Sequence, residues 1–528
     1  MTNKYVKLSL LLSILILICS YIFLVVHHLG QVPNMFLDEV NYASEVQSFH
    51  NFDTDIHGLR FPVYFTSLWG QGQSVLYALL AQPTIALLGF NIFSFRLTMV
   101  IWGIMLILLV TTITYIISKK LFLTLTILVS LISSPWIYMS LRWVLDCNIA
   151  PIILSVGIWL FIYFSQNTNF TNTFNQLGKI LGIVLITLSV YGYITFWLYL
   201  PILFLALTIY TLKNKLISIP ELLLYAFIIL LIILPLLIFA INVFFFHSNK
   251  PTKFLFFDIP ILPSARTGSF ITLSPHIIKN ILKNLFLGLE YYILGYDHLP
   301  WNSIEGFGVV SPVMLLFSLI GLLTDTNNLG KFKYFADITK LQLLTFLPLT
   351  LVIIPNYNHW NSINFPLAIL SGIGLYNVIN TKTYFIKLIT LLTPVIIFTM
   401  FLSYYWSPTS FGKNGMFNYK VVSTINDKVG QNKLYISNLS KNVSEFKLVK
   451  NVSPKYYDKH QDHLGANHLA PKYYFDNLRD ISLINQVKSG NYILVSQTDV
   501  SAITKQYQYI SNYTLDGENY TLYKVTHK

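Results

Sequence analysis

LSLLLSILILICSYIFLVVHHLGQVPNMFLDEV, residues 8–40, decides how the rest of the chain is read. Its first part, residues 8–26, is almost wholly apolar and close to the ~20 residues that cross the hydrocarbon core of a bilayer as a helix. Lys4 and Lys7 precede it as they would a signal peptide. The apolar run is too long for a signal h-region, however, and no small-residue cleavage site follows, so it reads as a retained first span. At the first point where the chain leaves the lipid, Asp38 and Glu39 stand side by side. The protein is 54% hydrophobic and only 11% charged, so adjacent carboxylates there need a physical reason.

Working outward, apolar runs of similar length recur at about 95–117, 121–139, 148–165, 178–194, 197–212, 222–246, 308–324, 341–355, 363–380 and 385–405. The expected fold class is an α-helical polytopic membrane protein with about eleven transmembrane helices. Lysines orient it, because cytoplasmic loops carry the excess of basic residues. Lys4 and Lys7, Lys119 and Lys120, Lys179, Lys213 and Lys215, Lys331 and Lys333, and Lys382 and Lys387 all fall inside if residues 73–90, QSVLYALLAQPTIALLGF, do not cross. That segment carries Gln73, Gln82, Pro83 and Gly89 and reads as helices at the outer interface. Residues 29–94 and 247–306 are then two long external loops. The N-terminus is cytoplasmic, the C-terminus lies outside, and the location is the plasma membrane of the cell. The net charge of +13 is accounted for by these lysines, and no nucleic-acid partner is expected. Cys19 and Cys147 give neither a disulfide framework nor metal-ligand spacing.

Composition changes after Tyr405. Residues 1–406 form the membrane part, whereas 407–528 are polar, with short strand-like runs at 433–437, 491–497, 507–511 and 520–525. LDGENYT (515–521) reads as a hairpin turn between the last two. A small extracytoplasmic α/β domain is expected there.

Polar side chains collect in the external loops. After Asp38 and Glu39 come Arg60, then Arg142 and Asp146 in SPWIYMSLRWVLD (134–146), Arg266, His298 in YDHLPWN (296–302) and His359 in NYNHWN (356–361). Loops on one face can converge on one cavity. Carboxylates and cations at a lipid–water boundary suit chemistry between a lipid-borne anion and a water-side acceptor. Each group also has a plainer reading. Asp38 and Glu39 can cap a helix, Asp146 can pair with Arg142 four residues back on a helix, and arginines can anchor lipid headgroups.

The order of these features resembles the GT-C glycosyltransferases that use polyprenyl-phosphate sugars, among them the protein O-mannosyltransferases and the lipid A aminoarabinose transferases. The resemblance covers roughly residues 1–405. It rests on FLDE (36–39), LLGFNIFSFRL (87–97), SPWIYMSLRWVLD, VYGYITFWLYLP (190–201) and NYNHWNSINFPLAILSGIGL (356–375). The chain departs from many relatives at WGQGQSVLY (69–77), where Gln71, Gly72 and Gln73 replace an acidic or proline-rich element.

The resemblance implies transfer of a sugar from a polyprenyl phosphate to an acceptor hydroxyl on the outer face, with inversion. It makes Asp38 the base, with Glu39 and Asp146 beside it as catalytic candidates. Arg60, Arg142, Arg266, His298 and His359 are the substrate-binding candidates, since guanidinium suits phosphate oxygens. Partners would be the lipid-linked donor, membrane lipid, and a glycan, teichoic acid or protein acceptor. Adjacent carboxylates can bind a divalent cation, but no full ligand set is readable. Two other classes stay open. A lipid-linked sugar flippase or transporter calls for ionisable residues inside the spans and repeat symmetry. A non-catalytic scaffold would only present residues 407–528.

Overall fold

A computed structural model describes residues 2–68, 70–166, 172–263, 276–381, 384–407, 418–437, 443–451, 453–454, 468–469, 472–476, 487–496, 507–515 and 517–526. Helix α1 (Thr2–Val26) is the first apolar run. The chain then makes an excursion through α2 (Leu37–Phe52) and α3 (Leu76–Leu88) before α4 (Ile92–Ser118). Asn91 starts α4 through a reciprocal cap, its side chain accepting from Ser94 N while Ser94 Oγ accepts from Asn91 N, each at 3.0 Å. Arg96, one turn into α4, donates from Nη1 to the carbonyls of Leu29 and Pro33, both at 2.9 Å. The excursion therefore returns to the bundle end it left. With 13 residues, α3 is about 20 Å long, short of the ~30 Å hydrocarbon core.

α5 (Leu121–Ile132) and α6 (Pro135–Arg142) are bent by 57°. Ser134 and Pro135 cause the break, the serine capping α6 by accepting from Ile137 N at 3.2 Å and the proline occupying its first turn. Then come α7 (Ile149–Gln166), α8 (Asn172–Leu188), α9 (Phe196–Lys213) and α10 (Ile219–Phe244). A small hairpin, β1 (Thr252–Phe254) and β2 (Phe257–Ile259), precedes α11 (Ile277–Leu294). The bundle closes with α12 (Pro312–Leu323), α13 (Lys333–Phe346), α14 (Asn364–Thr381) and α15 (Tyr384–Tyr405).

Among the described residues, eight helices are long and apolar enough to cross a membrane, or up to ten if each of two bent pairs is one span. The second bent pair, Pro312–Leu323 with Thr326–Leu351, turns by 89°. Hydropathy reads it as two spans, 308–324 and 341–355, and its contacts run in two directions. Val309, ahead of α12, accepts from Ser134 Oγ at 2.6 Å, while Asn328, beyond α12, accepts from Lys120 Nζ at 3.4 Å. α13 then climbs along α9, from Asp337 on Tyr210 (2.7 Å) to the Gln342 carbonyl on Tyr199 (2.9 Å). One end of the bundle thus gathers Lys120, Asn328 and Lys340, whose Nζ donates to the Thr324 carbonyl at 2.5 Å, and the other gathers Glu39, Asp146 and His359.

The span windows at 146–166 and 361–380 are each 83% buried, against 11% for that of α1, so α7 and α14 form the centre. α12 lies against α14 backbone to backbone. A Cβ on Gly374 would sit 1.9 Å from the Phe317 carbonyl oxygen, and one on Gly321 would sit 2.0 Å from that of Leu370.

The C-terminal region contains α16 (Tyr419–Val429), β3 (Leu434–Ser437), α17 (Val443–Lys450), β4 (His468–Leu469), β5 (Tyr473–Asp476), β6 (Tyr492–Ser496), β7 (Tyr507–Leu515) and β8 (Glu518–Val525). The strands make one sheet, ordered β4-β5-β3-β6-β8-β7. β3 runs parallel to both neighbours, and β7 and β8 form an antiparallel hairpin. Gly517 turns it with φ 79°. Helix α17 rests on α2, where Ser444 Oγ donates to Asn41 Oδ1.

With Cys19 replaced by serine, cysteines at positions 31 and 91 are expected to react with an impermeant maleimide from one side of the membrane, and a cysteine at 119 from the other. Labelling of 31 and 91 from opposite sides would mean that the excursion crosses.

Candidate active site

Glu39 and Arg96 are fully buried and joined in a two-pronged ion pair. Arg96 Nε donates to Oε1 at 2.7 Å and Nη2 to Oε2 at 2.6 Å. Oε1 also accepts from Val144 N at 2.9 Å. Paired guanidinium–carboxylate hydrogen bonds fix geometry as well as supply energy. This pair fixes four segments at once: the end of α1, the start of α2, the start of α4 and the turn after α6. Arg96 was legible only as part of LLGFNIFSFRL, and Glu39 proves to be a clamp.

Asp38 is half-buried on the first turn of α2, where the helix dipole favours negative charge. One turn on, Tyr42 donates to the Ser74 carbonyl at 2.8 Å, and Ser74 N donates to Asp146 Oδ2 at 2.9 Å. Asp146 opens the short turn ahead of α7, and the next residue, Cys147, accepts from Asn361 Nδ2 at 2.8 Å. These bonds tie Tyr42, Asp146 and the 356–361 turn into one neighbourhood, with Asp38 one turn before Tyr42 on α2. Ser74 Oγ, Gln73 Oε1 and Asn361 Oδ1 are buried there with no hydrogen-bond partner among the described residues. Such atoms are uncommon in folded proteins and suit water or a hydroxylated ligand. α6 ends at Arg142, and Trp143 is extended, so Arg142 and Asp146 do not share a helix.

The turn carrying His359 is built on Asp297. This buried carboxylate accepts from Asn302 Nδ2 and Ser303 Oγ at 2.8 Å each, and from Tyr357 N at 2.9 Å. Burial pushes its pKa up, and these donors oppose the shift. Asn356 Oδ1 accepts from His359 N at 2.6 Å, and His359 Nδ1 lies 2.8 Å from the Ile354 carbonyl. The His359 ring stacks on Tyr193, centroids 6.3 Å apart. In YDHLPWN the sequence draws attention to His298, whereas its neighbour Asp297 is the hub.

The other predicted cations are scattered. Arg142 is fully buried and donates to Tyr405 OH (3.0 Å) and to the carbonyls of Leu24 (2.9 Å), Val25 (2.7 Å) and Val32 (2.7 Å). It faces the Trp406 ring at 4.8 Å. Arg142 is therefore a second clamp on the chain leaving α1. Arg60 is exposed, and its backbone N donates to Asp258 Oδ2 at 2.8 Å, beside the β1–β2 hairpin. His298 is exposed between the rings of Tyr291 and Tyr296. Arg266 lies outside the described residues. Among the described residues, no group of three or more His, Cys, Asp or Glu is placed to hold a metal ion. Glu39 is turned toward Arg96.

A second acidic cluster went unread in the sequence. Glu45, two turns after Asp38 on α2, is buried near Asp55, His57 and Lys447 of α17. Its Oε2 accepts from Ile56 N at 3.0 Å. Burial first, and the charge of Asp55 second, push its pKa up to about 7, against the pull of His57 and Lys447. Burial raises the pKa of Asp55 too.

No family model matches the sequence, and no curated protein does. The fold itself is known. The chain has the overall architecture of a polytopic membrane protein of known crystal structure. It is similar to the crystal structure of ArnT from Cupriavidus metallidurans in the apo state, at 12% identity and a TM-score of 0.56, over 96% of this chain and 97% of that one. It is also similar to the structure of ArnT from the same organism bound to undecaprenyl phosphate, at 11% identity and a TM-score of 0.54, over 99% and 98%.

Glu39→Ala or Arg96→Ala alone is expected to destabilise the detergent-solubilised protein by about 3–5 kcal/mol, since each strands a buried charge. The double substitution should cost less than the sum, measured by thermal unfolding; strict additivity would show that the pair does not interact. For Glu45, a folded pKa above the unfolded value means that the native state binds the extra proton. Its contribution is full below about pH 4.5 and is lost as pH rises through about 7. Glu45→Gln should therefore flatten the fall in Tm over that window, and an unchanged pH profile would remove Glu45 as its source.

Proposed function

We propose that the protein is an integral-membrane glycosyltransferase that moves a sugar from a polyprenyl-phosphate donor to an acceptor hydroxyl, in cell-envelope or protein glycosylation. The observation that carries the reading is the start of α2. There Asp38 stands half-buried beside a clamped Glu39, one turn before Tyr42, whose hydroxyl bonds the Ser74 carbonyl while the Ser74 N–H bonds Asp146. The shared fold with ArnT, one of whose structures holds undecaprenyl phosphate, supports the donor class. The positive-inside rule supports a cytoplasmic lysine end and an outward carboxylate end.

In this reading Asp38 accepts the proton of the acceptor hydroxyl as its oxygen bonds to the anomeric carbon. The bond from that carbon to the phosphate oxygen breaks, and polyprenyl phosphate leaves with the electron pair, so the anomeric centre inverts. The transition state has oxocarbenium character. Glu39 acts as a positioning residue through Arg96. Asp146, oriented by the Ser74 N–H, serves as the second carboxylate. His359 and Arg60 are the candidates to meet the donor phosphate, with Arg266 and His298 as further candidates from the sequence. The unpartnered Ser74, Gln73 and Asn361 atoms suit sugar hydroxyls. Apolar cavities of about 370 and 410 Å³ share Phe204, Ile229 and Ile233. They form a trough along α9 and α10 that fits an isoprenoid tail.

Asp38→Asn keeps size but removes the base. Single-turnover transfer from a lipid-phosphate sugar in nanodiscs is expected to fall about 10²–10⁴-fold, with donor binding and Tm retained. Wild-type rates in this variant would take Asp38 out of the chemistry and leave Asp146 as the candidate base.

A further inference from the structure

Helix α11 has three faces. One packs on the protein: Asn284 Nδ2 donates to the carbonyls of Thr350 (2.6 Å) and Ile353 (2.7 Å), Gly288 lies under the Trp360 ring, and Tyr292 OH donates to Asn364 Oδ1 at 2.8 Å. A second face carries Ile278, Leu282, Phe286, Leu289 and Ile293, which are between 50% and 73% exposed. Their spacing puts them within an arc of about 80°. The third face carries Lys279, Lys283 and Glu290, all exposed, centred about 80° further round.

These faces decide how the helix meets lipid. The charged strip from Lys279 to Glu290 is about 16 Å long. A helix crossing the leaflet would draw that strip into hydrocarbon, where charged side chains are costly. A helix lying flat satisfies all three faces, with the apolar stripe in the acyl boundary, the charged strip at the headgroups and the remainder on the protein. The β1–β2 hairpin repeats the chemistry, with Leu255 and Phe256 exposed at its tip and Lys250 and Lys253 exposed beside them. Among described residues 247–294, four lysines face two acids, Asp258 and Glu290.

We infer that α11 is an in-plane membrane-surface helix that, with the β1–β2 hairpin, engages anionic lipid headgroups. Its protein face underlies the turn that carries His359, so lipid contact and the geometry of that turn are mechanically connected. The inference does not depend on the transfer chemistry.

The test uses the full chain in vesicles of phosphatidylcholine, with and without phosphatidylglycerol. Nitroxides on Ile278→Cys, Phe286→Cys and Ile293→Cys, with Cys19 replaced by serine, report depth through relaxation by oxygen and by a water-soluble nickel chelate. Equal, shallow depths are expected at all three sites. A monotonic change in depth from 278 to 293 would mean that the helix crosses, and full water access would mean that no lipid covers it; either overturns the inference. The protein should also prefer spin-labelled phosphatidylglycerol over phosphatidylcholine, and Lys279→Gln with Lys283→Gln should lower that preference about five-fold per lysine. An unchanged preference would overturn the anionic-lipid assignment.

Discussion

A carboxylate and a guanidinium, both out of contact with solvent, meet where α1, α2 and α4 converge, and the candidate site takes its shape from them. Glu39 alone would be an intolerable buried charge. Paired with Arg96 through two hydrogen bonds and with the Val144 N–H through a third, it becomes a fixed joint. Arg96 extends the joint to the Leu29 and Pro33 carbonyls. The chain leaving the first span therefore has one path, and α2 starts in one place.

The same device recurs at the same end of the bundle. Arg142 gathers the carbonyls of Leu24, Val25 and Val32, and Tyr405 closes it from α15. Asp297 gathers N–H and O–H donors from its own loop and from Tyr357. Loops between spans lack the regular hydrogen bonding of helices, so their backbone groups need side-chain partners. A buried ion with several donors or acceptors satisfies many such groups at once. The half-buried Asp38 and the polar atoms around Asp146 are held by this rigid surround, which is what a preorganised site needs.

Much of the fold was legible because lipid imposes a local rule. Each apolar run of sufficient length must form a helix whose backbone bonds itself, so hydropathy alone located the spans. Lysine placement, together with Gln73, Gln82, Pro83 and Gly89 inside the segment, reads residues 73–90 as staying on one side. The 89° bend after α12 was not readable, since hydropathy records two apolar runs without the angle between them. The strands of the C-terminal sheet were visible as short runs, but their order, with β3 between β5 and β6, depends on contacts far apart in the chain.

The chain by itself determined that this is a helical membrane protein with carboxylates placed where the first span ends, because burial in lipid is dictated by composition over short windows. Only tertiary structure decided what those carboxylates meet. Neighbours on a helix point about 100° apart, so Asp38 and Glu39 look alike in sequence yet meet different surroundings. Packing turned Glu39 into Arg96 and left Asp38 half-buried. Packing likewise ended α6 at Arg142, so the four-residue spacing to Asp146 never became a helical pair, and Arg142 turned to carbonyls more than a hundred residues away. Charge and spacing are properties of a segment. The partner that satisfies a buried charge is a property of the fold.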